Sequence, residues 1–267
     1  MATTNQMAND ANTVGLWHMD GTAGTAAKQD NAQGDAALDL TAGAGNPTST
    51  TGQITPTTDG AYAFTNTANK YLYIASANTF VPTGSSTWEF WINVNSGTPA
   101  DTEGIWNTYA GGGNRGVIVY KTTDQKLNFG VSANGSAFTE IATPSGLSTG
   151  TWYYVACVYT AGSRMEIFVD GASVVSSTTS IPASMYASTG DLTFGEYTSH
   201  FGANNNFDGN LDEMRLSNIA RTSTEIYNYY NDIGSTSIKT IDGLAKASVK
   251  TVDGLAIASV KTWNGLA

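Results

Sequence analysis

Between residues 14 and 232, apolar side chains recur at every second position in short runs, each cut off by glycine, asparagine, aspartate or serine. A β-strand imposes that period, because successive Cβ atoms point to opposite faces of a sheet. In Trp88-Glu89-Phe90-Trp91-Ile92-Asn93-Val94 the alternation puts Trp88, Phe90, Ile92 and Val94 on one face. Residues 116–120 and 126–131 flank the turn Thr122-Thr123-Asp124 and read as a hairpin. Residues 152–159 are apolar throughout, as expected for a central strand covered on both sides. Residues 164–169 run into Asp170-Gly171, a pair that tolerates the positive φ of a tight turn. Residues 192–195 and 211–216 add two more strands. Many short strands at this spacing predict an all-β chain of two packed antiparallel sheets.

One short helix interrupts the pattern. Thr222-Ser223-Thr224-Glu225 is a capping box, followed by Ile226, Tyr229 and Tyr230 on one helical face and stopped at Gly234. Three sections follow: a polar N-terminal arm over residues 1–13, expected to be flexible or ordered by a partner, the strand-rich body over 14–232, and a tail over 233–267.

The tail repeats itself. Ser237-Ile-Lys-Thr-Ile-Asp-Gly-Leu-Ala-Lys-Ala returns from Ser248 and again from Ser259, with a period of eleven residues. Asp-Gly or Asn-Gly recurs in fixed register between β-formers, so each unit reads as strand–turn–strand. Eleven is also a coiled-coil period, but a glycine in every unit beside β-branched residues disfavours helix. Such a segment buries too little to fold alone, so Ile241, Leu244, Val252, Leu255, Trp263 and Leu266 are expected to dock on a partner, on copies of themselves, or on their own domain. A trimer suits this tail. Lys239, Lys246, Lys250 and Lys261 make it mildly basic against an acidic body.

The body carries further signatures. Gly15-Leu16-Trp17-His18-Met19-Asp20-Gly21 precedes a Trp88–Val94 strand, then Gly150-Thr151-Trp152-Tyr153-Tyr154-Val155-Ala156 with Ile167-Phe168-Val169-Asp170-Gly171. Phe207-Asp208-Gly209-Asn210-Leu211-Asp212-Glu213-Met214-Arg215-Leu216-Ser217-Asn218 closes the series. In that order these segments resemble the concanavalin A-like lectin/glucanase superfamily in its laminin-G-like form, across residues 14–232. The resemblance implies a jelly-roll sandwich. It also implies a structural Ca²⁺ between the first and last strands, held at Asp20 and Asp212, where hard oxygen ligands suit that ion. The alternative is that both carboxylates only bind backbone amides at strand ends. Asp30, Asp59 and Asp208 lack the positional match. The repeat tail, for its part, resembles arrays at the ends of phage proteins.

Sugars are gripped by aromatic platforms and amide or carboxylate hydrogen bonds. Two stretches that read as loops have that chemistry, giving Trp106, Tyr109, Tyr197, His200, Asn204 and Asn205 as candidate ligand-binding residues. The alternative is solvent loops with a few aromatics folded onto the sandwich. Catalysis is not expected. The superfamily's glycanases carry Glu-x-Asp-x-Glu on one strand, and no such triplet occurs here: Glu89 shares its face with Trp91 and Asn93, and Glu166 with Phe168 and Asp170. His18 and His200 have no serine or cysteine signature beside them, and His18 reads as a core or rim histidine.

A net charge of −10 with 12 Lys+Arg excludes the cationic surface that nucleic acid requires. No apolar run is long enough to span a bilayer, and the N-terminus lacks the basic and apolar regions of a signal peptide. Cys157 is the only cysteine and sits in an apolar strand, as a buried small hydrophobe would. The expected role is a virion or extracellular-surface protein that displays a lectin-like domain and docks on other virion proteins through residues 233–267. The alternative is a carbohydrate-binding adhesin module at a bacterial surface.

Overall fold

The computed structural model describes residues 6–20, 38–43, 45–54, 59–66, 70–76, 79–95, 101–197 and 205–232, and in the tail 240–241, 244–245, 251–252 and 255–256. Residues up to Gly234 form one compact unit and Ser235–Ala267 a second.

The first unit is a sandwich of two antiparallel sheets. The eight-stranded sheet comprises β1 (Thr13–Trp17), β3 (Thr48–Thr51), β4 (Gly60–Phe64), β6 (Ser86–Val94), β11 (Trp152–Thr160), β12 (Arg164–Val169), β13 (Ala172–Ser177) and β15 (Gly209–Ser217). Its order is β13-β12-β11-β6-β15-β4-β3, with β1 also paired to β15. The seven-stranded sheet comprises β2 (Thr41–Ala42), β5 (Leu72–Ile74), β7 (Glu103–Tyr109), β8 (Arg115–Lys121), β9 (Leu127–Ser132), β10 (Phe138–Ala142) and β14 (Leu192–Phe194). It runs β10-β9-β8-β7-β14-β5-β2. The predicted jelly-roll-like, all-β architecture is what the structure shows.

Between the sheets lies the main core, into which β6 sends Trp88, Phe90, Ile92 and Val94, as its alternation dictates. Trp106 packs edge-on against Trp88 (centroids 4.9 Å apart) and Trp17 (6.0 Å), while Phe194 lies 5.1 Å from Trp17. The Trp17 indole donates to the Leu38 carbonyl at 2.8 Å, so its one polar atom is satisfied inside the core. Cys157 is fully buried in this core, and burial pushes its thiol up.

A second, smaller core covers the outer face of the eight-stranded sheet. Helix α1 (Ser223–Asp232) brings Ile226 onto Leu16, Trp91, Tyr154 and Phe168. Its capping box forms as predicted: the Glu225 amide donates to Thr222 Oγ1 at 3.2 Å and the Thr222 amide to Glu225 Oε2 at 2.7 Å. The β12–β13 turn has Asp170 and Gly171 at φ of 51° and 78°.

The N-terminal arm differs from expectation. From Gln6 to Asn12 it packs on its own sheet: Met7 is buried, the Ala8 carbonyl accepts from Arg215, and Asp10 pairs with Arg221 at 2.8 Å. The arm's polarity hid this, because its anchors are one methionine and a set of hydrogen bonds to residues about 200 positions away.

In the second unit, β16 (Thr240–Ile241) pairs with β17 (Leu244–Ala245), and β18 (Thr251–Val252) with β19 (Leu255–Ala256). Each pair is antiparallel, and Ile241, Leu244, Val252 and Leu255 lie in these strands; the Asp-Gly pairs predicted as turns, at 242–243 and 253–254, lie outside the described residues. Trp263 and Leu266 lie outside the described residues.

Candidate functional site

Two clusters stand out, one associated with each sheet. The first is acidic. Strand β15 departs from regular alternation between Asp212 and Arg215, where one extra residue is accommodated against β6 and Glu213 takes a φ of 50°. Met214 thereby keeps its place in the main core while Asp212 and Glu213, adjacent in sequence, both turn towards one pocket. Asp59, just before β4, supplies the third carboxylate; one oxygen of each lies within 4.8 Å of the others. Asp20, after β1, stands at the rim and accepts the Gly60 amide at 2.8 Å.

These groups are only half satisfied. Asp212 accepts the Gln53 amide at 2.9 Å and Asp59 the Ile54 amide at 2.7 Å, each through Oδ2. The Oδ1 atoms of both are buried and meet no hydrogen-bond donor among the described residues. Glu213 is held by His18 Nδ1 at 2.7 Å and by the Met7 amide. His18 is therefore a rim histidine with a carboxylate partner. Burial raises the Asp212 carboxyl well above its usual range, and the Asp59 and Glu213 charges add to the shift. Burial likewise raises Glu213, against the pull of His18. Asp59 is pushed to about 7, chiefly by burial, with Asp20 and Glu213 contributing. Gly52 completes the wall: a Cβ there would stand 2.1 Å from Asp59 Oδ2 and 2.8 Å from Asp212 Oδ2.

Buried carboxylate oxygens without donors among the described residues, gathered at the β15 irregularity and the start of β4, fit a hard divalent cation. Asp59, Asp212 and Glu213 would hold it, with Asp20 at the rim; the ion would supply charge neutralisation and tie β15 to β4. The structure thus sets Asp20 and Asp212 in one neighbourhood and adds Asp59 and Glu213, which sequence reasoning missed. Their backbone-amide bonds also match the alternative reading, and the orphaned Oδ1 atoms are what that alternative leaves unexplained.

A pH dependence follows. An unfolded aspartate releases its proton near 3.8, whereas folded Asp59 holds it to about 7, so the folded form binds the extra proton between those values. The slope is negative, and stability falls as pH rises across that interval. In chelator, the melting temperature is expected to be higher at pH 5 than at pH 7.5 by a margin that Asp59→Asn shrinks. An unchanged margin in that variant counts against the carboxylate as its source.

The second cluster lies on the outer face of the seven-stranded sheet. Val117 and Val119 of β8 and Ile141 of β10 enter the core, so Tyr120 and Glu140 point away from it. A register shift between Asn107 and Tyr109 brings Tyr109 and Arg115 to the same side. There Tyr109 meets Phe138 edge-on at 5.7 Å and Tyr197 at 6.3 Å, and Tyr197 meets Tyr120 at 5.3 Å. The Arg115 guanidinium lies 5.0 Å from the Tyr109 ring centre and 5.7 Å from that of Phe138. Tyr120 donates to Glu140 Oε2 at 3.4 Å. Burial raises the Tyr197 hydroxyl, so it remains a donor at neutral pH.

Of the sequence candidates, Tyr109 and Tyr197 come together here, whereas Trp106 does not. Its segment is strand β7, not a loop, and a register irregularity between Gly104 and Trp106 turns the indole into the main core, where it is fully buried and has no face for a sugar. Asn205 is pinned to Thr102 at 3.0 Å, at the opposite end of β7. His200 and Asn204 lie outside the described residues. Tyr120, Phe138, Arg115 and Glu140 were missed because they come from separate strands that only the sheet register aligns.

The laminin-G-type model described as concanavalin A-like lectin/glucanases superfamily matches residues 65–227, more than half of the chain. The chain belongs to this superfamily. Solved structures agree on the fold. The binding domain of Paraclostridial Mosquitocidal Protein 1 matches with a TM-score of 0.63 at 14% identity, covering 82% of this chain and 52% of that one. The Botulinum neurotoxin serotype G binding domain gives 0.62 at 11%, covering 82% and 50%. Domain 4 of AbnA, a GH43 extracellular arabinanase from Geobacillus stearothermophilus, solved with arabinotriose, gives 0.60 at 14%, covering 82% of this chain and 98% of that one. The chain thus spans about half the length of the two toxin domains. No curated protein matches the chain by sequence. Within the superfamily's sandwich, both clusters lie outside the main core, and no helix among the described residues is long and apolar enough to cross a membrane.

Proposed function

We propose that this chain is a non-enzymatic carbohydrate-binding module with a cation-braced sandwich, displayed on a virion by its C-terminal repeat. The observation that carries the sugar reading is the outward-facing cluster of Tyr109, Tyr120, Phe138 and Tyr197, ringed by hydroxyl, guanidinium and carboxylate groups. Pyranose rings present apolar faces and polar rims, and such a surface offers partners for both. The superfamily membership and the arabinotriose bound to a structurally similar domain support the same reading. A buried Ca²⁺ at Asp59, Asp212 and Glu213 would brace β15 against β4 rather than touch the sugar.

The display reading rests on the tail. Its described strands are only two residues long, too short to stand alone as isolated pairs, and strand edges of this kind recruit further strands. Deleting residues 235–267 is expected to abolish incorporation into the native assembly while the sandwich keeps its fold and its sugar binding. Normal incorporation of the truncated protein would remove the tail's role. An adhesin at a bacterial surface shares the sugar site, and imaging of the native assembly separates it from a virion protein.

A further inference from the structure

The chain's four arginines are not equivalent. Arg215 and Arg221 both reach Glu89, Arg221 also reaches Asp10, and Arg164 reaches Glu166, all within 3.1 Å. Arg115 has no carboxylate within ion-pairing distance among the described residues. Among the described residues its Nε is buried without an acceptor, and the guanidinium's one hydrogen bond is from Nη2 to the Tyr109 hydroxyl at 3.3 Å. In a protein with a net charge of −10, a half-buried guanidinium held by two aromatic rings and left without an anion is a conspicuous exception.

From this geometry we infer that the aromatic face recognises a carboxylate-bearing pyranose, with Arg115 receiving the carboxylate. The inference rests on the sugar-binding reading and narrows it. A guanidinium presents parallel N–H groups that match the two oxygens of a carboxylate, and packing against aromatic rings pre-orients it. Tyr109 and Phe138, edge-on to each other, both pack against it, so little side-chain entropy is lost when the anion arrives. The rest of the cluster selects a sugar over a bare anion. Tyr197 and Tyr120 offer ring surface, the Tyr197 hydroxyl can donate, and Glu140, which takes the Tyr120 proton at Oε2, can accept further from sugar hydroxyls. Glu140 feels the Arg115 charge but forms no ion pair with it, and its Oε2 accepts the Tyr120 hydroxyl, so the guanidinium keeps its N–H groups for another anion. The β7–β8 turn keeps the entrance clear: Cβ atoms at Gly112 and Gly113 would meet nothing within 4 Å.

Two sugar classes carry this chemistry, the hexuronic acids and the sialic-type acids, and calorimetry on the full chain separates them. The probes are a galacturonate trimer, sialyllactose, the carboxyl-reduced form of each, and a neutral arabinose trimer. At least one acidic probe is expected to bind, and the one that does identifies the source. Reduction of its carboxyl to an alcohol should weaken binding by about tenfold or more, the size of a charge-assisted, two-point contact. Arg115→Gln should show the same loss, with added salt weakening the wild type more than the variant. Arg115→Lys keeps the charge without the fork, so partial retention in this variant, with an unchanged near-ultraviolet circular dichroism spectrum, shows that the loss comes from the guanidinium and not from misfolding. Equal binding of acidic and reduced probes overturns the inference, as does Arg115→Gln binding within about twofold of wild type. If neutral sugar binds and only Tyr197→Ala abolishes it, the sugar reading stands and the carboxylate inference falls. If no sugar binds at all, both fall.

Discussion

Replacing Glu89 with alanine is expected to cost about 3–5 kcal/mol of folding stability, the range found when one member of a buried ion pair is removed. Glu89 is fully buried beneath α1. It accepts from Arg215 Nη2 at 2.7 Å and Nε at 2.9 Å, and from the Tyr154 hydroxyl at 2.6 Å, while Arg221 Nε lies 3.1 Å away. Truncation would leave two guanidinium groups in a low-dielectric site with only Asp10, Ser217 and the Ala8 carbonyl to share. The loss should exceed that of any exposed pair, such as Lys126–Asp124, where solvent screens the charges. Chemical denaturation of Glu89→Ala measures it, and a loss below about 1 kcal/mol would show that the network contributes little. Combining Glu89→Leu with Arg215→Met should recover much of the deficit, because an apolar pair of similar volume carries no desolvation cost.

Asp212→Asn is expected to change stability in opposite directions with and without calcium. In chelator the folded wild type must take up a proton at Asp212 or bury its charge beside Asp59 and Glu213, and the amide removes that cost while leaving an acceptor for the Gln53 amide. The variant should therefore melt higher than wild type. With calcium at about 100 times its dissociation constant, the wild type gains about 2.7 kcal/mol, or roughly 5–10 °C, from binding to the folded state alone. The variant loses a ligand and most of that gain, so the order reverses. Differential scanning calorimetry in both conditions tests this, and two parallel shifts of the same sign would show that no cation binds at these residues.

The strand pattern carried the architecture because alternation survives wherever a strand is regular. Trp88, Phe90, Ile92 and Val94 reached the core as their spacing demanded, and Thr222 with Glu225 capped α1. Both candidate sites lie where that regularity breaks. Glu213 shares a pocket with Asp212 only because β15 carries an extra residue, and two-residue periodicity places adjacent side chains on opposite faces. The irregularity in β7 turned Trp106 inward, although the glycines and asparagines around it read as a loop. Asp59 had no sequence signal beyond its charge, since β4 is brought to β15 by pairing between residues about 150 positions apart. The aromatic face had none either, because Arg115, Phe138 and Tyr197 are aligned by sheet register.

The arm from Gln6 and the helix ending at Asp232 both press on the eight-stranded sheet, through Met7, Ile226 and the Asp10–Arg221 pair. Tyr109, Tyr120 and Tyr197 look out from the other sheet. The sandwich therefore has a back and a front. A contact made on the arm or on α1 lands on the opposite sheet from these tyrosines and leaves their surface open.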